Sequence, residues 1–521
     1  MDLKKLQNGS DIRGIAMEGV EGENPNLTEA AARLLTRGFL LWLSKKRSKD
    51  VAELKIAVGR DSRLSGEALS GCALDEIAKA GAAALDCGLA STPAMYMSTV
   101  FPEYKCDGAI MVTASHLPWN RNGFKYFAPD GGLNKSDIKE IISYAESELS
   151  NGSCSCGGQA PAGKIERCQL MDTYTAHLRK LIKDGVAAGS DAAEKPLSGL
   201  KIVVDAGNGN GGFFAKDVLA PLGADVSGSQ FLEPDGHFPN HAPNPEDKRA
   251  MQSISARVLE TGADFGLIFD TDVDRSAAVD AQGREIARNG IVAMAAALAC
   301  ESHPGTTIVT DSITSDQLTV FLTEKLGCKH LRYMRGYKNV INKSIELNKA
   351  GIDSGLAIET SGHAAFAENY FLDDGAYLAT KIVIKAALLA RAGKAIDSVI
   401  ADLEEPLEAR EVRFPIKAAD FASYGDSILE ALKAWASSCG NCAVSAKSEA
   451  PEMSLVEPNY EGVRIKFAAD AGDGWCLLRK SLHDPIMPLN IESNKEGGVA
   501  LIAEKLRPFL KEFAELDISR L

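Results

Sequence analysis

The stretch "TASHLPWNRNGFKYF", Thr113 to Phe127, follows an apolar run, "AIMV", and brings together a hydroxyl, an imidazole and an ammonium: Ser115, His116 and Lys125. These residue types serve nucleophilic, acid–base and phosphoryl-transfer chemistry. Neighbours in an extended chain point to opposite faces, which places His116 badly for deprotonating Ser115 in an exposed loop, and no G-x-S-x-G elbow is present. A hydrolase triad is therefore disfavoured. A serine carrying a phosphoryl group beside a cation uses the same residues more economically, because a metal and nearby cations neutralise its two negative charges.

Asp270, Asp272 and Asp274 alternate in "FDTDVDR", directly after the run "FGLIF". Carboxylates so spaced can face one centre and hold a hard divalent cation through oxygen. An EF-hand is excluded, since its sixth and twelfth places, Gly and Glu, are here Arg275 and Ala281. Three like charges beside a buried strand repel unless neutralised, which favours a metal, Mg2+ before Ca2+. In "AIETSGHAAF", Glu359 and Ser361 alternate on one face and suit adjacent sugar hydroxyls, while His363 has a pKa suited to proton transfer. A helix N-terminus would use the same residue types. "AGNGNGG" matches G-x-G-x-x-G at Gly207, Gly209 and Gly212, yet "GADVSGSQF" supplies no acidic residue at the end of the next strand. A tight strand-to-helix turn is favoured there over nicotinamide binding.

The elements that must position these residues repeat one plan of apolar strand, polar loop and amphipathic helix, which reads as α/β with mainly parallel pairing. Leu54–Gly81 and Leu200–Gly223 follow it, and Asp264–Arg275 and Thr306–Gly327 are assigned the same plan. In such sheets ligands bind beyond the carboxyl ends of strands, where the polar clusters above fall. "LTEAAARLLTRGFLLWLSKK" predicts a helix with Thr28 as its N-cap. The Gly- and Ser-rich segment Ser150–Lys164 reads as a boundary loop. After Leu407, "EVRFPI", "GVRIKF" and "GWCLLRKS" are short alternating strands of a smaller α+β domain. At 521 residues the chain exceeds a single core, and four domains are drawn: 1–165, 166–290, 291–405 and 406–521.

A formal charge of −14 repels nucleic acid and anionic membrane, so an anionic substrate needs a local concentration of cations. Arg13, Arg60, Lys125, Arg275, Arg335, Lys338 and Arg479 lie in or beside the polar loops and fit a phosphorylated small molecule. No apolar run reaches membrane-spanning length, and the first residues do not read as a signal peptide. Eleven cysteines, an odd number, argue for reduced thiols and a cytoplasmic protein; the Cys154/Cys156 and Cys439/Cys442 pairs do not make a zinc site.

Taken in order along the chain, these loops resemble the α-D-phosphohexomutase family. "SDIRG" is similar to the family's D-x-R-G opening, "TASHLP" to its T-A-S-H-N-P phosphoserine loop, "DTDVDR" to its D-G-D-G-D-R metal loop and "ETSGH" to its E-x-S-G-H sugar loop; "VGRDSRLSG" and "DAGNGNGG" have counterparts too. The resemblance implies three similar α/β domains and a smaller C-terminal α+β domain around a central cleft. It implies that Ser115 carries phosphate, that Asp270, Asp272 and Asp274 hold one Mg2+ against it, and that Arg13 and His116 contact the phosphoryl group. Lys125 and His363 become the acid–base candidates, Glu359 and Ser361 grip the sugar, Arg335 and Lys338 lie in the specificity loop, and Arg275, Arg479 and Ser481 also face substrate. The implied reaction interconverts hexose 1- and 6-phosphates of glucose or mannose through a hexose 1,6-bisphosphate, which also serves as activator, in a monomer or homodimer. Three departures stand out: Leu117 follows His116 where Asn is usual, Trp119–Asn120 extends an unusual loop, and "RKSLHDP" (Arg479–Pro485) replaces a loop close to R-P-S-G-T-E-P. They leave open a hexose bisphosphate synthase using a donor such as fructose 1,6-bisphosphate, and a non-catalytic sugar-phosphate-binding protein.

Overall fold

The computed structural model describes residues 2–151, 162–187, 194–442, 452–481 and 484–521. Cys154, Cys156, most of the Ser150–Lys164 segment, Leu482, His483 and the side chains of Cys439 and Cys442 lie outside what is described. The chain forms two compact units, Met1–His303 with Leu347–Ala401, and Pro304–Glu346 with Asp402–Leu521. Among the described residues, no helix is long and apolar enough to cross a membrane; Cys72, Cys87, Cys106, Cys168 and Cys476 are free thiols, whereas Cys300 and Cys328 are disulfide-bonded, which corrects the expectation of reduced thiols throughout.

The largest sheet of the first unit is built on Lys55–Arg60, with Ala83–Leu89 and Gly108–Val112 as parallel neighbours. Gly108–Val112 is buried throughout, as a central strand covered on both faces should be. The helix Glu29–Arg47 begins where expected, with the Thr28 hydroxyl accepting from Ala31 N; Leu35, Phe39 and Leu43 recur at helical spacing and enter the core beside Ile56 and Val58. Lys55–Arg60 and Gly108–Val112 end side by side, where Asp61 N donates to Val112 O. The loops after these strands, one with Asp61 and Arg63 and the other with Ser115, therefore leave the sheet at one edge. Lys125 is on the strand Arg121–Ala128, antiparallel to Gly108–Val112 and paired with Met111.

In the second sheet, Ile202–Asp205 runs parallel to Phe265–Phe269, whose other neighbour, Ser276–Asp280, is antiparallel. The strand–loop–helix plan assigned to Asp264–Arg275 is thus corrected. A parallel crossover needs a dozen or more residues, so the short loop 270–275 can only turn the chain back as a hairpin. "AIETSGHAAF" makes another hairpin, Leu356–Ile358 against Ala364–Phe366, with 359–363 as its turn.

The "GNGNGG" turn closes onto the acidic loop. Gly207 has φ of +51°, and a Cβ on Gly209 would lie 2.7 Å from Thr271 Cα, while Asn210 N donates to Thr271 O at 2.8 Å. Gly209→Ala is expected to cost about 1–3 kcal/mol through this forced contact, read as a lower thermal unfolding midpoint. An unchanged midpoint would show that the acidic loop gives way freely.

The second unit holds an antiparallel sheet in the order Glu408–Pro415, Ile486–Ser493, Gly474–Leu478, Val463–Phe467, Met453–Leu455. The helices Phe421–Cys442 and Gly498–Leu510 lie in the same chain segment, and Phe414, Ile465, Leu489 and Ile502 share its core, giving the α+β arrangement expected after Leu407. This unit also contains the parallel pair Thr307–Asp311 and Lys329–Tyr333.

Candidate active site

Ser115 is not in an exposed loop; it is 6% exposed. Its φ is +51°, left-handed rather than extended, so Ser115 Oγ and His116 Nδ1 come within 3.4 Å instead of facing apart. Burial, with the Arg275 and Arg13 charges nearby, pushes the His116 imidazole down to about 2, which keeps it neutral. The Ser115 hydroxyl donates to Asp270 Oδ2 at 2.9 Å and accepts from Arg275 Nη2 at 3.1 Å, and Arg275 also reaches Asp270 through Nε at 3.2 Å. Arg13 donates to Thr113 O, at the root of the serine loop, and to Asp11 Oδ2 at 2.8 Å.

Asp270, Asp272 and Asp274 are fully buried at the tip of their hairpin, and one oxygen from each falls within 4.8 Å of the others. Lys125 Nζ sits between them, 3.1 Å from Asp272 Oδ2 and hydrogen-bonded to Asp274 Oδ2. Thr92 braces Asp272 through its hydroxyl and through its amide, which donates to Asp272 O at 2.8 Å. Asp272 Oδ1 and Asp274 Oδ1 are buried without a hydrogen-bond partner. Leaving such oxygens unpaired is costly, and an all-oxygen set of three carboxylates fits a hard divalent cation.

His363 closes this cluster. Its Nδ1 lies 2.5 Å from Asp373 Oδ2 and 3.8 Å from Asp274 Oδ1. Burial opposes its charge, but Asp373 and Asp274 outweigh burial and push the imidazole up to about 9, so His363 is an imidazolium. The same turn holds Glu359, 5% exposed, and Ser361, whose buried hydroxyl has no partner. Thus the first unit brings together Ser115, His116, Lys125, Arg13, the three aspartates, Arg275 and His363, with Glu359 and Ser361 in the His363 turn.

Arg335, Lys338, Arg479 and Ser481 belong to the second unit. Arg335 Nε lies 3.5 Å from Asp311 Oδ2, and its amide donates to Glu461 Oε2 at 3.2 Å. Arg479 is 8% exposed, its Nε is buried without a partner, and burial together with the Arg335 charge lowers its pKa. Lys338 stands in the first turn of the helix Tyr337–Lys349. Ser481 Oγ accepts from Asp484 N at 3.2 Å.

Asp373 was not anticipated from the sequence. The signal was the pair Asp373–Asp374 before a helix: a helix needs one cap, and Asp374 fills that role by accepting from Tyr377 N at 2.8 Å, which leaves Asp373 for His363. Asp373→Asn is expected to lower kcat on the order of 100-fold with KM little changed, because it frees the His363 ring to turn. Steady-state kinetics would show this, and an unaltered kcat would remove Asp373 from the site.

Models of the phosphoglucomutase/phosphomannomutase α/β/α domains I, II and III match residues 4–151, 172–283 and 288–407 in that order. The chain belongs to the phosphoglucomutase/phosphomannomutase family. A phosphomannomutase/phosphoglucomutase of Pseudomonas syringae is 31% identical over 468 residues, 89% of each chain. A phosphoglucomutase of Neisseria gonorrhoeae is 27% identical over 503 residues, 96% of this chain and 95% of the relative. The crystal structure of a phosphoglucomutase/phosphomannomutase family protein from Burkholderia thailandensis superposes with a TM-score of 0.76 at 25% identity, covering 98% of both chains. As an α-D-phosphohexomutase, the chain is a hexose phosphate mutase, an intramolecular phosphotransferase. Its fold is that of the family, three α/β/α domains followed by a C-terminal sheet domain.

Proposed function

We propose that Ser115 is the phosphoryl carrier of this mutase. The observation that supports it most directly is the placement of Ser115 Oγ between Asp270 Oδ2 and Arg275 Nη2, beside the buried aspartate trio. Phosphoryl transfer depends on in-line positioning and charge neutralisation, and the charged groups around Ser115 Oγ support the second. The Oγ–P bond breaks as a bond forms from phosphorus to the free hydroxyl of a hexose monophosphate, whose proton passes to a base. The product is a hexose 1,6-bisphosphate; after it turns over, its other phosphate returns to Ser115 by the reverse step.

Lys125 and His363 are the acid–base pair of this reading, with Asp373 holding the His363 ring. Arg275 and Arg13 offset the phosphate's charge, and His116 serves as a neutral hydrogen-bonding group against it. Glu359 and the partnerless hydroxyl of Ser361 receive sugar hydroxyls. Asp270, Asp272 and Asp274 would hold Mg2+ with the Ser115 phosphate as a further ligand. Bound there, the ion would neutralise charge on the phosphoryl oxygens. In the second unit, Arg479 and Ser481 are assigned to a non-reacting phosphate and Arg335 and Lys338 to substrate selection: the Arg479 guanidinium, lowered by burial and by the Arg335 charge, has a buried unused donor and favours an anion. Hexose 1,6-bisphosphate loads the serine as activator, and the enzyme works in the cytoplasm on free hexose phosphates. Domain borders near 165, 290 and 406 are part of the same reading.

The test is to incubate the protein with Mg2+ and glucose 1,6-bisphosphate and map the phosphate by peptide mass spectrometry, while following glucose 1-phosphate by phosphorus NMR. A phosphate on Ser115 together with formation of glucose 6-phosphate is expected. Turnover with the phosphate on another residue, or on none, would defeat the assignment.

A further inference from the structure

We infer that Arg63, acting with Asp61 and Thr113, is the positioning device that sets Ser115 for phosphoryl transfer; the inference rests on Ser115 being the residue phosphorylated. Arg63 is 1% exposed. A charge is buried so deeply only where it is paired and hydrogen-bonded; here both Nη atoms are hydrogen-bonded, while Nε makes no hydrogen bond and stands in an ion pair with Asp61. Nη1 donates to Pro118 O at 2.7 Å and to Arg121 O at 3.1 Å, while Nη2 donates to Ser115 O and Leu117 O. A single guanidinium thus ties four main-chain carbonyls of the segment from Ser115 to Arg121. Carbonyls held this way are not free to turn toward a dianionic phosphate, which they would repel.

The remaining donor faces a second link. Arg63 Nε lies 3.3 Å from Asp61 Oδ2, Thr113 Oγ1 donates to that same oxygen at 2.6 Å, and Thr113 Oγ1 accepts from Ser115 N at 2.9 Å. The chain of contacts runs from the loop after Lys55–Arg60 directly to the backbone of Ser115. The Phe238 ring covers the guanidinium, with its centroid 5.2 Å from Cζ, and shields these bonds from water. Ser115 has a left-handed φ of +51°, a conformation that a non-glycine residue keeps only when its surroundings over-determine it. Arg63 from one side and Thr113 from the other provide that determination. No other residue type offers the planar, multi-donor fork the four carbonyls require; lysine would keep the charge beside Asp61 and lose the fork. The departure at Leu117 is accommodated as well, since only its main-chain oxygen enters the clamp.

Two variants test this, Arg63→Lys and Thr113→Val, each assayed with glucose 1-phosphate and glucose 1,6-bisphosphate for kcat, KM, thermal midpoint and phosphate occupancy of Ser115. Both are expected to lower kcat on the order of 100-fold, the loss that follows from misplacing a reacting group by about 1 Å, with KM within about threefold and reduced occupancy. A lower thermal midpoint with wild-type kcat in the folded protein would reduce Arg63 to a stabilising residue and overturn the inference, as would a rise in KM with kcat unchanged. If Arg63→Lys does not fold, the near-isosteric Thr113→Val decides alone by the same readouts. Failure to label Ser115 in the wild-type protein would defeat the carrier assignment itself. Labelled wild type alongside fully active variants would defeat only the positioning role.

Discussion

Ser115→Ala is expected to lower turnover by at least about 10⁴-fold, since the proposed carrier of the phosphate is gone and the surrounding charges have nothing covalent to act through. KM for glucose 1-phosphate should change little, because Glu359 and Ser361, the proposed sugar-binding residues, are untouched. The fold should survive. The lost hydroxyl donates to Asp270 and accepts from Arg275, and Arg275 still engages Asp270 through Nε, so the stability cost is about 1 kcal/mol. The position stays left-handed, which alanine tolerates no worse than serine. Steady-state kinetics and a thermal melt on the same preparation check both halves. Residual turnover within tenfold of wild type would show that Ser115 is not the carrier.

The second large effect belongs to Asp274→Asn, which should damage both the fold and the reaction. Burial pushes the Asp274 carboxyl up, but Lys125, His363 and Arg275 together hold it well below the usual carboxylate range. The folded state therefore favours the anion, and removing its charge at neutral pH leaves Lys125 and His363 under-compensated. Breaking one partner out of such a buried arrangement costs about 3 kcal/mol. Urea unfolding of the metal-free protein should register this loss. The same substitution removes one of the oxygens facing the trio's centre, so Mg2+ affinity measured by calorimetry should fall at least about 100-fold, and turnover with it. Unchanged stability would mean that Asp272 alone satisfies Lys125. Unchanged Mg2+ binding would move the ion away from the trio.

The chemistry of the site was legible in the sequence because it is local. Ser115, the alternating aspartates and the E-x-S-G-H turn each follow an apolar run, and alternation within a short loop is enough to place three carboxylates near one point. The helix cap at Thr28 and the change of pattern near Leu407 are local signals too, and the structure carries both. The misreadings share a different cause. An extended backbone assumed at Ser115 set it and His116 apart, whereas a left-handed φ, held by residues more than 50 positions earlier, brings them together. A crossover helix expected after Phe269 gave way to a hairpin because loop length, not apolar patterning, decides between the two.

The sequence by itself determined which residue types line the loops, the α/β plan and the family those loops resemble, since each depends on spacing within a few residues. Only the tertiary structure decided what lies opposite them: Asp373 behind His363, Thr92 behind Asp272, Lys125 between two aspartates, and the Arg63 guanidinium under the serine loop. Apart from Asp373 and His363, ten residues apart, those pairings join segments far apart in the chain, and whether a buried charge is neutralised by a given partner depends on distance through space, which spacing along the chain does not encode.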